Sequence, residues 1–148
     1  MLNQLRGVYS SLHKHKVKYV TIGGIAAILH GVPRVTFDLG ILIEATSDNA
    51  QSLLDALLDA GLGTASLLTT AEQLLAHEVT IFRDRVQIDV QTSTPGIRFD
   101  EVWARREVRK YGRQEFYILS RDDLIVSKRA AGRPKDLEDI RLLELKPD

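Results

Sequence analysis

Between residues 17 and 44 the chain reads VKYVTIGGIAAILHGVPRVTFDLGILIE, and this stretch constrains the fold more than any other. A short apolar strand, VKYVTI, runs straight into the pair Gly23-Gly24, and a helix follows at once. IAAILH carries that helix to Gly31, a left-handed cap, and Pro33 just beyond cannot continue it. In TFDLGILIE a period of two returns. Phe37, Leu39, Ile41 and Ile43 share one face of a strand, and Asp38, Gly40, Leu42 and Glu44 share the other.

The same alternation of strand and helix runs through the remainder. Residues 2 to 16 are expected to be helical. Residues 47 to 60 form the clearest helix, capped by Ser47 or Asp48, with Ala50, Leu53, Leu54, Leu57 and Leu58 on one stripe and Gly61 ending it. After a looser segment, EVTIF and RVQIDVQ read as two strands joined by a tight Arg83-Asp84 turn; Val86, Ile88 and Val90 face one way, Gln87, Asp89 and Gln91 the other. A turn at Thr94 to Gly96, a short helix near Asp100 to Arg106, and the strands EVRKY and EFYIL around Gly112 come next. Two helices close the chain, one opened by Ser120 with Asp123 as a capping-box variant, the other with Pro134 at its first position.

At 148 residues with 44% apolar side chains, the chain has the size of one domain spanning 1–148, with a core at about 17–95 and C-terminal strands and helices at about 96–148. There is no cysteine, so neither a disulfide framework nor a thiolate metal site is available. The first twenty residues lack a signal-type apolar core, and no apolar run approaches the roughly 20 residues that span a bilayer; a soluble, cytoplasmic protein with no membrane partner is expected. Formal charge is balanced overall but segregated along the chain. Residues 1 to 34 carry Arg6, Lys14, Lys16, Lys18 and Arg34 with no acid, whereas residues 35 to 82 carry seven acids and no Lys or Arg. Such a split makes either a basic lip facing an acidic pocket or two ordinary solvated faces.

Three constellations carry chemistry. Asp38 and Asp89 each lie on the polar face of a strand that is apolar behind. If those strands are neighbours the carboxylates converge, and a close pair of anions, repelling by about 4 kcal/mol at ~4 Å, calls for a cation such as magnesium; otherwise they are independent surface aspartates. The bare backbone of Gly23 and Gly24 at a helix start admits a phosphate to amide N–H groups, although glycines there also simply make the turn, and neither a Walker sequence nor a GxGxxG is present. GLGTAS at 61 to 66 lacks the third glycine and follows a helix, so it is set aside as a dinucleotide fingerprint. Lys128 falls between Leu124 and Ile125 on a helical wheel, as a buried counter-ion or as a stem snorkelling to water. In GRPKDLEDI, a capping and dipole role suffices for Asp136, Glu138 and Asp139, with Lys135 and Asp139 as a surface i,i+4 pair. The four histidines match no ligand motif.

Taken in order, these pieces resemble a family. IGGIAAILHGVPRVTFDLGILIE is similar to the first motif of the minimal nucleotidyltransferases of the DNA polymerase beta superfamily, in which a Gly-Gly or Gly-Ser turn and short helix precede a strand bearing Asp-x-Asp. VQIDV resembles the later strand that supplies a third aspartate, and LSRDDLIVSKRAAGRPKDLEDIRLLE resembles the C-terminal helical signature of the bacterial group related to AbiEii-type toxins. The resemblance implies an α/β (α+β) fold, a mixed sheet flanked by helices with a helical C-terminus. It implies transfer of a nucleoside monophosphate from an NTP to a hydroxyl of RNA, protein or a small molecule, with magnesium as cofactor and a toxin–antitoxin partner in prospect. In that scheme Gly23 and Gly24 cradle the triphosphate, Asp38 and position 40 hold the metal, Asp89 helps hold metal and activates the acceptor hydroxyl, and Lys128 contacts phosphate. Arg34 and Thr36 match an Arg-x-Thr-x-Asp pattern, which implies that they orient the strand or touch the nucleotide, with a solvated Arg34 as the alternative.

Gly40 departs from the pattern, because the second Asp of Asp-x-Asp is missing. Side chains at i and i+2 of a strand lie about 6.6 Å apart on one face, within reach of one magnesium, whereas Glu44 is roughly 20 Å along the strand from Asp38 and cannot substitute. Three explanations follow: a pseudoenzyme, a weaker one-metal site of Asp38, Asp89 and water, or a substitution introduced to disable the protein. The contrasting expectation is a non-catalytic module, antitoxin-like or RNA-associated, that uses Lys14, Lys16, Lys18 and the basic cluster from Arg105 to Lys110.

Overall fold

The strand register that sets up the site follows from burial on both faces of one sheet. The computed structural model describes residues 2–63 and 67–145; Thr64, Ala65 and Ser66, which end GLGTAS, lie outside the described residues. In chain order the elements are α1 (Leu2–Lys14), β1 (Tyr19–Ile22), α2 (Gly23–Leu29), β2 (Asp38–Ile43), α3 (Ser47–Asp59) and α4 (Ala71–Leu75). There follow β3 (Val79–Arg83), β4 (Gln87–Gln91), α5 (Phe99–Ala104), β5 (Glu107–Tyr111), β6 (Gln114–Ile118), α6 (Arg121–Ala131) and α7 (Pro134–Glu144).

The strands form one six-stranded sheet in the order β3-β4-β2-β1-β6-β5. Its pairings are mixed: β2 runs antiparallel to β1 and parallel to β4, and β1 runs parallel to β6. Leu39, Ile41 and Ile43 of β2 and Ile88 and Val90 of β4 are buried in one core with Leu12 of α1, Leu53 and Leu57 of α3, and Leu74 of α4. Val20, Ile22 and Leu42 point the other way, into a second core with Val102 of α5, Leu124 of α6, and Ile140 and Leu143 of α7. Each such side chain contributes roughly 1.5–3 kcal/mol when fully buried. A one-residue slip of β2 would exchange its two faces, so register is strongly specified. The chain has the expected α+β architecture, a mixed sheet flanked by helices.

Local expectations are corrected in several places. The cap of α3 is Thr46, whose Oγ1 accepts from the Asn49 N–H at 3.2 Å, so neither Ser47 nor Asp48 serves. Phe37 precedes β2 and is 75% exposed, so it does not share the apolar face of Leu39. Leu58 lies at the margin of its stripe, 46% exposed. The segment read as loose contains α4, opened by a reciprocal capping box between Thr70 and Gln73. Ser120 does cap α6, accepting from the Asp123 N–H at 3.1 Å, while the Asp123 carboxylate is taken by the Arg105 guanidinium at 3.0 and 3.1 Å.

Candidate functional site

β1 delivers the chain to Gly23 and Gly24, and the two glycines answer different constraints. Gly23 has φ +69°, where a side chain is strained, and the space beside it is open. Gly24 has no positive φ but no room: a Cβ there would stand 3.1 Å from Thr36 Cγ2 and 3.2 Å from Thr36 Cβ. Thr36 therefore lies on the bend itself. Its Oγ1 accepts a hydrogen bond from the Asp38 N–H at 3.4 Å, which links the bend to the start of β2.

Asp38 opens β2, half-buried, with Gln87 opposite it across the parallel pair; Gly40 is opposite Asp89 on one side and Ile22 on the other. The strands are neighbours, as convergence requires, but Asp38 and Asp89 are diagonal partners, on the order of 8 Å apart between Cα atoms. Asp89 accepts a 3.0 Å hydrogen bond from Gln87 Nε2. Gly40 has no positive φ, and a Cβ built on it would meet Ile22 Cγ1 at 3.4 Å and the Ile22 carbonyl oxygen at 3.5 Å, ordinary contact distances. Neither backbone nor packing demands glycine there. Among the described residues, no group of three or more His, Asp or Glu side chains is gathered to hold a metal ion. Two diagonal carboxylates with a bare Cα between them do not fit the multi-carboxylate cage of metal-assisted phosphoryl transfer.

Beside this face a cleft of 280 Å³ opens between the sheet and the last two helices, walled in part by Gly23, Gln91, Ser127, Lys128 and Asp136. Arg34, Thr36, Asp38 and Asp89 stand outside its lining. Lys128 is buried, and its side chain does not snorkel. Its ammonium lies 2.9 Å from Asp139 Oδ2 and 3.6 Å from Asp136 Oδ1. The same Asp139 Oδ2 accepts from Arg34 at 2.6 Å, and Arg133 Nε donates to Asp136 Oδ2 at 2.6 Å. Asp136 does cap the last helix, accepting from the Arg133 backbone N–H at 3.2 Å, and Asp136 and Asp139 are also the buried partners of three cations. The expected pair of Asp139 with Lys135 is replaced by Arg34 and Lys128, which sequence spacing cannot reveal because Arg34 is 105 residues away. Burial pushes the Asp136 carboxyl up, but the bonds from Arg133 and the charge of Lys128 outweigh it and hold the group below its ordinary range.

The segregated charges of the N-terminal half do not make a basic lip. Lys14 and His15 both meet Asp59 at 3.1 Å, and Lys18 meets Glu44 at 3.6 Å. In the second basic stretch Arg105 grips Asp123, Arg106 lies 3.7 Å over the Trp103 ring and 4.7 Å over Tyr117, and Arg109 bonds Glu107 at 2.8 Å. Lys14, Lys18 and Arg105 are thus each paired with a carboxylate while remaining exposed, and Lys16 and Lys110 are exposed as well. No helix among the described residues is long and apolar enough to cross a membrane.

A family model described as a nucleotidyltransferase of unknown function, DUF6036, matches residues 2–146. The chain belongs to this nucleotidyltransferase family. Its fold also matches a crystal structure from Thermotoga maritima, provisionally assigned as a nucleotidyltransferase, with a TM-score of 0.60 and 14% identity over 99% of this chain and 93% of that one. At that identity the likeness bears on the fold alone. Among curated proteins none matches the chain.

Proposed function

We propose that this family member is a nucleotide-binding protein whose transfer chemistry is impaired or lost. The reading rests on position 40. Asp89 has Gly40 for its direct neighbour in the parallel pair, on regular extended backbone with room for a side chain, so a carboxylate there would stand beside Asp89 and two residues from Asp38. Such a trio is the donor set that a phosphoryl-transfer site requires, and this chain lacks one member of it.

In this reading the ancestral reaction moved a nucleoside monophosphate from a magnesium-bound NTP to a hydroxyl of RNA, protein or a small molecule, as in the DNA polymerase beta superfamily. The resemblance of the C-terminal helices to those of AbiEii-related bacterial proteins makes a toxin–antitoxin pairing in the cytoplasm the setting of this reading. Gly23 and Gly24 present backbone N–H groups to the triphosphate and Lys128 supplies counter-charge from the wall of the cleft. Asp38 and Asp89 are the remaining carboxylates. Thr36 and Arg34 brace the strand from behind, since both are engaged with protein groups outside the cleft.

Titration calorimetry of magnesium with each NTP, on the chain as it stands and on Gly40→Asp, tests this. Gly40→Asp is expected to bind magnesium-NTP more tightly and to label an acceptor that the parent does not. A folded Gly40→Asp protein that neither bound magnesium-NTP nor labelled any acceptor in a broad screen would remove the enzymatic ancestry from consideration.

A further inference from the structure

One oxygen in the buried cluster serves two cations. Asp139 Oδ2 is 2.6 Å from Arg34 Nη1 and 2.9 Å from Lys128 Nζ, with the Asp139 side chain 8% exposed and that of Lys128 6% exposed. Three cations, Arg34, Lys128 and Arg133, face two acids, Asp136 and Asp139, so the cluster carries one positive charge more than its carboxylates neutralise. Arg133 is 62% exposed and keeps much of its hydration, whereas Lys128 does not, so charge left partly unneutralised on Lys128 is costly unless an anion meets it. Of the three cations Lys128 and Arg133 reach the cleft wall, whereas Arg34 does not.

We infer that Arg34 is a positioning residue which, by competing for the shared oxygen of Asp139, keeps Lys128 only partly neutralised and therefore available to a polyphosphate in the cleft. The inference rests on the nucleotide-binding reading and deepens it, because it makes Arg34 a relay and not a ligand contact. With Arg34 removed, Asp139 turns wholly to Lys128 and the cluster surplus disappears. With Asp139 neutralised, Lys128 loses that counter-charge, and Arg34 has nothing through which to act.

The test is a double-mutant cycle on the full chain, with inorganic tripolyphosphate as the calorimetric probe and thermal unfolding run in parallel. Arg34→Met is expected to weaken tripolyphosphate binding roughly tenfold, the scale of one charge-assisted hydrogen bond, and to have no further effect in an Asp139→Asn background. Should Arg34→Met melt too low for assay, Arg34→Gln keeps a donor toward Asp139 without the charge and gives the same comparison. Lys128→Met separates the two levels. If the parent fails to bind tripolyphosphate, or Lys128→Met binds it as the parent does, the nucleotide-binding reading falls and takes the relay with it. If Lys128→Met weakens binding but Arg34→Met does not, or if the Arg34→Met loss persists undiminished beside Asp139→Asn, the relay alone is overturned.

Discussion

Thr36 stands against Gly24 so closely that a single added carbon on the glycine would come 3.1 Å from the threonine methyl. Nine in ten real Cβ contacts are looser than that range, and the near atoms belong to a stiff β-branched side chain. Gly24→Ala is therefore expected to cost about 1–3 kcal/mol by overpacking, read as a lower urea midpoint at unchanged slope. Thr36→Ser, which removes the methyl, should return part of that loss when combined with Gly24→Ala. An additive double variant would mean that the two residues do not touch.

The other two glycines should respond in opposite senses. Gly23 holds φ +69°, so Gly23→Ala meets a backbone penalty of about 1–2 kcal/mol despite the open space beside it. Gly40 lies in β2 with no positive φ and with room for a Cβ, so Gly40→Ala should stabilise by about 0.4–1 kcal/mol through the unfolded chain. Equilibrium denaturation of the two variants side by side checks the sign of each.

Acid should reveal the Asp136 cluster. The carboxyl is held below its ordinary value of 3.8 in the folded protein, so as pH falls the unfolded chain takes up the proton first. The stability due to Asp136 is complete above pH 3.8 and is lost as pH drops through the lowered folded value. Asp136→Asn should flatten that part of the stability curve, measured as urea midpoint against pH. An unchanged slope would mean that other carboxylates carry it.

His13 should add a second, higher step. Its burial lowers the imidazole from 6.5 against the opposing pull of Glu115, while Nε2 lies 2.8 Å from the Tyr19 hydroxyl. The neutral ring is favoured in the fold, so the unfolded chain gains protons first as pH falls through 6.5. The contribution of His13 is full above that pH and declines as pH falls toward the depressed folded value. Subtracting the curve of His13→Gln from that of the parent isolates the step.

Elements with strong apolar spacing of two or of about 3.6 residues are legible in the sequence alone. Val86, Ile88 and Val90 are all buried as their alternation requires, and the stripe of α3 faces the core except at its margin. What escaped was short or distant. α4 spans five residues, too few for a periodic signal, although Thr70 followed three positions on by Gln73 marks its start. Asp136 and Asp139 follow Pro134 closely enough to look like ordinary first-turn acids, and nothing local indicates that Arg34 will fold against them. Strand alternation put Asp38 and Asp89 on comparable faces; the two-residue offset between them depends on register, which the pairing of β2 with β4 decides.

Gly40 sits in regular strand geometry, and a Cβ there would meet Ile22 only at ordinary contact distances, so neither backbone nor packing bars a side chain from starting there. A glycine encoded by GGT or GGC becomes aspartate when one middle base is replaced. Where the codon is one of these, a single base change would bring a carboxylate beside Asp89 without altering any other residue.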